Sequence, residues 1–264
     1  MTKIRKVVVI FVSKCDLSVI CKYNVFTHLS FTKEMKETGR THEILERIGY
    51  VLDCIALSVL VLVALHVLAT TIRIETISIG RIKLHTALFV GFAAFFLLFL
   101  IPRVRENTRW MMKFIHEFTH LVFALLFFRK IRRFNVDDKD SHVSYSGGWF
   151  GYFPITISPY CVPLLTLALL PWRYTTGDDF FLLVIDFFIG MSYAFHVCCW
   201  VSQIRLYQPD ITGPGTVKSL LAVTWLQILN FCLVLLTPSS GVILALKRVF
   251  VDFPLGAFSF FLPA

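Results

Sequence analysis

The 264-residue sequence is 56% apolar, holds 27 phenylalanines, is only 16% charged and has a mean hydropathy of +0.72. That is more apolar surface than a soluble core can hide, which excludes a secreted or cytosolic globular domain and leaves an integral membrane protein. The formal charge of +9 and pI near 9.3 do not mark a nucleic-acid binder: the basic residues sit in short clusters beside apolar runs, where they meet lipid phosphates, and no RNA or DNA module is visible.

The start is basic, with Lys3, Arg5 and Lys6 before the apolar run Val7 to Val12. That run is shorter than a signal-peptide core and is followed by Lys14 with no small-residue cleavage site, so no cleavage is expected. Ser30 to Arg47 is polar and reads as a helical cytosolic lead-in, with Met35 an alternative initiator. Residues 1–47 are therefore expected to be a polar lead-in, disordered in part. A helical crossing needs about 20 apolar residues. Stretches that meet this fall at 48–70, 84–101, 110–128, 152–171, 180–201 and 219–236, which predicts an all-α polytopic bundle of about six transmembrane helices within a catalytic membrane domain over 48–240. From Gly241 the chain is apolar but interrupted by Lys247, Arg248, Asp252 and Pro254, so 241–264 reads as an interfacial or broken membrane helix. The seven cysteines are odd in number, and five (Cys54, Cys161, Cys198, Cys199 and Cys232) lie in apolar stretches, where they act as small packing residues.

The third stretch holds His116-Glu117-Phe118-Thr119-His120, the pattern H-E-x-x-H. On a helix, histidines four apart project from one face with the glutamate beside them, so two metal ligands and a general base come prearranged. Within hydrocarbon each ionisable side chain costs several kcal/mol by most estimates, so three in five residues point to a function. Beyond this stretch, Arg129-Lys130-Ile131-Arg132-Arg133 reads as a headgroup anchor and favours a cytosolic position for that end, but Arg103, Arg105, Arg109 and Lys113 crowd the other end, and the count of cations leaves the orientation open. Ser141 to Ser146 alternates polar with larger residues and runs into Gly147-Gly148, which predicts a short strand-like or re-entrant loop ending in a flexible turn. Pro154, Pro159 and Pro163 in the fourth stretch each remove a backbone donor and argue against a straight helix.

Catalytic zinc takes three protein ligands and leaves a fourth position open. Asp53, Asp186, His196, Asp210 and His142 are the candidates for the third. Asp210 is preferred, because a carboxylate offsets the charge of the ion and the flanking Pro209 and Gly213 permit a turn toward the site. His196 is the runner-up, as a ligand, as a support for the ligands or as a stabiliser of the oxyanion. Gln227 and Asn230 read as interhelical hydrogen-bonders.

His116 to His120 at a membrane span, a Gly-containing loop, the proline-interrupted Ile157-Ser158-Pro159-Tyr160-Cys161-Val162-Pro163 and a downstream Asp before a glycine together resemble the site-2 protease family of intramembrane zinc metallopeptidases. Phe195-His196 with Gln208-x-Asp210-Ile211 is similar to its compact bacterial branch without a PDZ domain. The resemblance covers roughly residues 105–235. It implies three helices around Zn²⁺, with His116, His120 and Asp210 as ligands, Glu117 as base, and a strand-like loop, here Ser141 to Gly148, that pairs with unwound substrate. It also implies a multi-pass protein of the bacterial inner membrane whose partners are the lipid bilayer and a membrane-protein substrate. The family's usual Leu-Asp-Gly is absent, since Asp210 is flanked by Pro209 and Ile211. The alternatives are a membrane metal transporter or sensor that uses the same histidines without hydrolysis, an inactive protease-like scaffold, or a di-iron membrane oxidase, which needs more clustered histidines than eight in 264 residues.

Overall fold

The computed structural model describes residues 33–77, 82–137, 141–148 and 150–261. The basic start and the run Val7 to Val12 lie outside them. The chain divides into two units, Met1–Val51 and Leu52–Ala264. In the first, the described residues are helical, and Arg47 Nη2 meets Glu43 Oε1 at 2.7 Å one turn away on an exposed face.

The elements in order are α1 (Lys33–Ile77), α2 (Ile82–Leu100), α3 (Pro102–Leu126), β1 (Ile131–Asn135), β2 (His142–Tyr145), α4 (Tyr152–Cys161), α5 (Leu164–Thr175), α6 (Asp179–Gln203), α7 (Pro209–Thr212), α8 (Thr216–Ser240) and α9 (Val242–Lys247). A π-helical turn (Arg248–Asp252) and α10 (Phe253–Phe261) close the series. Each of the six expected stretches is helical, as an all-α membrane protein requires. Three helices stand alone as candidate spans, Glu43–Glu75, Asp179–Gln203 and Thr216–Ser240; two bent pairs bring the number to five if each pair is one span.

Proline sets both bends. α2 and α3 meet at 106°, where Ile101 is driven into extended geometry (φ −73°, ψ 118°) by Pro102, the first residue of α3. The polar residues after Pro102, which lie between two of the apolar stretches, are helical as the first turns of α3. The fourth stretch is two helices, α4 and α5, at 76°. Val162 is extended before Pro163 (ψ 110°), and Pro163 has no N–H with which to continue α4. The C-terminal segment comprises α9, the π-turn and α10, with Val242, Ala245, Val249 and Ala257 buried.

The second unit packs around α6. Ala64, Val67, Leu88, Ile189, Tyr193, Leu233 and Leu236 belong to one buried cluster, while Leu62, Phe96, Leu97, Leu100 and Leu126 are exposed, as lipid-facing side chains should be. Because lipid is as apolar as leucine, close backbone approach rather than the hydrophobic effect holds such helices together. α2 and α6 approach through two glycines: a Cβ on Gly91 would lie 1.9 Å from the Phe187 carbonyl oxygen, and one on Gly190 would lie 2.0 Å from that of Leu88. Both obstacles are backbone, so the helices must separate. Gly190→Ala is expected to cost about 1–3 kcal/mol, read as a lower thermal midpoint in detergent, with Gly177→Ala, whose Cβ meets nothing within 4 Å, as the near-neutral control. Equal midpoints for the two variants contradict this packing.

The predicted strand exists, and its partner is the basic cluster. β2 pairs antiparallel with β1, Arg133 opposite Ser144 and Phe134 opposite Val143, with an irregularity between Ile131 and Arg133. Phe134 of β1 sets its edge against Phe114 of α3 (centroids 6.2 Å, 80°), which seats the hairpin beside the motif helix. The headgroup-anchor reading of this cluster is corrected for Arg129: its guanidinium donates to the carbonyls of Gly147 (2.8 Å), Gly148 (3.0 Å) and Phe150. Gly148, at φ 140°, leaves the space that a Cβ would take from that guanidinium. The Gly147-Gly148 turn is therefore pinned by the two terminal nitrogens of one guanidinium.

Candidate active site

α3 is amphipathic, with Met112, Thr119, His120 and Ala124 on its buried face, and places the motif as the spacing requires. The rings of His116 and His120 stand edge to face at 5.0 Å between centroids, and Glu117 lies on the adjoining, more open side. Asp210 arrives from α7, a single turn opened by Pro209. Its Oδ2 lies 3.6 Å from His116 Nε2 and 3.5 Å from His120 Nε2. The three ligand atoms fall within 4.8 Å of one another, and they form the one such cluster among the described residues.

Both imidazoles are aimed by their second nitrogen. His120 Nδ1 is 2.8 Å from the Ile155 carbonyl, which only accepts, so the proton is on Nδ1 and the Nε2 lone pair faces Asp210. His116 Nδ1 is 3.1 Å from Gln203 Oε1 at the end of α6, an arrangement of the same sense. The Tyr160 hydroxyl is shared between Asp210 Oδ2 (3.3 Å) and Gln208 Oε1 (3.1 Å).

The remaining third-ligand candidates are engaged elsewhere. Asp53 pairs with Lys218, whose ammonium also lies over the Phe153 ring. Asp186 is bound by Arg173, Nε to Oδ1 at 2.5 Å and Nη2 to Oδ2 at 3.2 Å, a buried pair that gives a mid-span charge the partner it needs. His196 Nε2 is 2.9 Å from Gln227 Nε2, so the amide donates and the ring accepts. His142 stands outside the cluster but lines a cleft of about 330 Å³ with Glu117, His120, Tyr145 and Asp210. Glu117 also lines a second cleft, of about 310 Å³, with Lys113, His116, Gln203, Arg205 and Gln208.

Gln227 and Asn230 are the interhelical hydrogen-bonders their position in α8 implied. Gln227 Nε2 donates to the Tyr160 carbonyl at 2.6 Å and Asn230 Nδ2 to that of Cys161 at 2.5 Å. The break at Pro163 strands backbone carbonyls at the end of α4, and a buried helix end needs such partners. Ile155 and Gln203 carry no signal in the sequence, and Tyr160 and Gln208 enter it only as members of the quoted motifs, without a role. Only Pro159 signalled that a carbonyl one turn earlier lacks its helical donor.

Residues 88–246 match the sequence pattern of a family described as Peptidase M50B-like. The chain belongs to that family. All three converging side chains lie inside the matched region, and no curated protein and no solved structure matches the chain. M50B-like peptidases are intramembrane metallopeptidases of the site-2 protease group, so the resemblance read from the H-E-x-x-H motif and the proline-rich segment is a family membership.

Proposed function

We propose that this protein is an intramembrane zinc metalloprotease that hydrolyses a peptide bond in or near the membrane-spanning segment of another protein. The observation that carries the reading is the convergence of two imidazole nitrogens from α3 and one carboxylate oxygen from α7. Zinc bonds of about 2.0–2.1 Å in tetrahedral geometry separate ligand atoms by roughly 3.3–3.4 Å. The separations of 3.5 and 3.6 Å are close to that edge, and two neutral imidazoles with one carboxylate are a donor set that suits a catalytic zinc. His116, His120 and Asp210 would hold the ion. When bound, it lowers the pKa of water toward 7 and polarises the carbonyl under attack.

The chain's own residues supply the rest. Glu117, beside the ligand cluster and open to both clefts, takes a proton from the attacking water and returns it to the leaving amide nitrogen as the C–N bond breaks. Helical amides are shielded, so the substrate has to be extended. The wall of the larger cleft is Ser141, His142, Val143 and Tyr145, and β2 pairs only with β1 among the described residues. Its other edge supports strand addition by the substrate backbone, which does not depend on side-chain identity. The compact bacterial branch that the sequence resembles supports the bacterial inner membrane as its location.

The test is metal removal. Purified chain in lipid vesicles should carry one zinc and cut a membrane-spanning reporter; phenanthroline should abolish cutting, and zinc should restore it. Undiminished cleavage by metal-stripped protein overturns the reading.

A further inference from the structure

Pro159 lies inside α4, buried and without a backbone N–H. In an uninterrupted helix, the N–H at this position would donate to the carbonyl of residue 155. Ile155 O is therefore left over, and two other donors occupy it: His120 Nδ1 at 2.8 Å and Ser158 Oγ at 2.8 Å. A carbonyl oxygen has two lone pairs, so these two bonds fill it. A third donor would have to displace one of them.

The geometry points to Pro159 as a positioning residue for the metal: by withholding an N–H it reserves the Ile155 carbonyl for His120, which fixes the His120 tautomer and turns Nε2 toward Asp210 and His116. The inference rests on the zinc reading above. The turn is held from behind, since Gln227 and Asn230 of α8 bind the next free carbonyls, Tyr160 and Cys161. Ile155 itself is fully buried, so no water is at hand to replace the bond if it is lost.

Pro159→Ala restores the missing N–H. The helical hydrogen bond it forms takes the place of one of the two bonds already there, and a helix-breaking residue is removed, so the metal-free protein should be about as stable as the parent. Zinc affinity should move the other way. Loss of the group that orients a ligating histidine weakens metal binding by about 10–100-fold. The double variant Ser158→Ala with Pro159→Ala removes one competitor for the carbonyl, leaving two donors for two lone pairs, and should recover most of the lost affinity.

The experiment titrates metal-stripped full-length protein in detergent with zinc alone, against a chelator of known affinity, and records the thermal midpoint of each metal-free sample. Weaker binding by Pro159→Ala at an undiminished midpoint, with recovery in the double variant, is the expected result. Parent-like binding by Pro159→Ala, no recovery in the double variant, or a fall in affinity matched by a fall in metal-free stability overturns the role of Pro159. A parent chain that takes up no zinc overturns the metalloprotease reading instead, so the two failures are distinct.

Discussion

Glu117→Gln should abolish cleavage, lowering kcat by about 10²–10⁴-fold, while zinc content and thermal midpoint remain those of the parent. Glutamine has nearly the size and shape of glutamate but cannot carry a proton between water and the leaving nitrogen. Glu117 stands outside the ligand cluster, which consists of His116, His120 and Asp210, so its replacement leaves the ion's donors in place. It lines both clefts, so water and an extended substrate can reach it together. The measurement is single-turnover cleavage of a membrane-spanning reporter with metal content determined on the same sample. A variant that cuts at the parent's rate removes Glu117 as the base; one that loses its zinc makes Glu117 a structural residue.

The parts of the site that could be read in advance are those in which chemistry and local spacing coincide. An i, i+4 pair of histidines on a helix needs no tertiary information, and neither does a proline that ends one. The convergence of Asp210 with them depends on how α7 docks, which no local pattern encodes, yet elimination on chemical grounds favoured it: a carboxylate in a Pro- and Gly-flanked turn is free to approach, whereas Asp186 at mid-span had to find a counter-ion and found Arg173. His196, polar within an apolar stretch and also downstream, stands second to Asp210 in the sequence. Its role depends on Gln227, one helix away, and such a pairing leaves no trace in either segment alone.

The hairpin shows the opposite limit. β2 was legible from its alternation, but β1 was hidden by charge: Arg129, Arg132 and Arg133 give the signature of a membrane anchor, and only pairing with β2 and the packing of Phe134 on Phe114 reveal a strand. Helix number was blurred for a related reason. Hydropathy counts apolar residues and is blind to the angle at which two helices meet, and here 106° and 76° bends decide how many crossings the stretches make.

Asp210→Ala should separate the third ligand from its rival. Two imidazoles alone hold zinc weakly, and losing even a supporting group costs about 10–100-fold in affinity, so loss of a direct ligand should weaken binding by at least about 100-fold and leave the purified protein largely free of zinc and inactive. His196→Ala should keep its zinc, because the ring is engaged with Gln227 and lies outside the cluster of ligand atoms. Asp210→Asn sharpens the contrast: it preserves the volume beside Tyr160 and Gln208 but removes the charge that offsets the ion, so it should bind zinc little better than the alanine variant if the carboxylate ligates, and as well as the parent if Asp210 only props the loop. Zinc retained by Asp210→Ala and lost by His196→Ala would transfer the third ligand to α6 and would require α6 to rotate away from Gln227, a change that spectroscopy of a cobalt-substituted site would register as a third nitrogen in place of an oxygen.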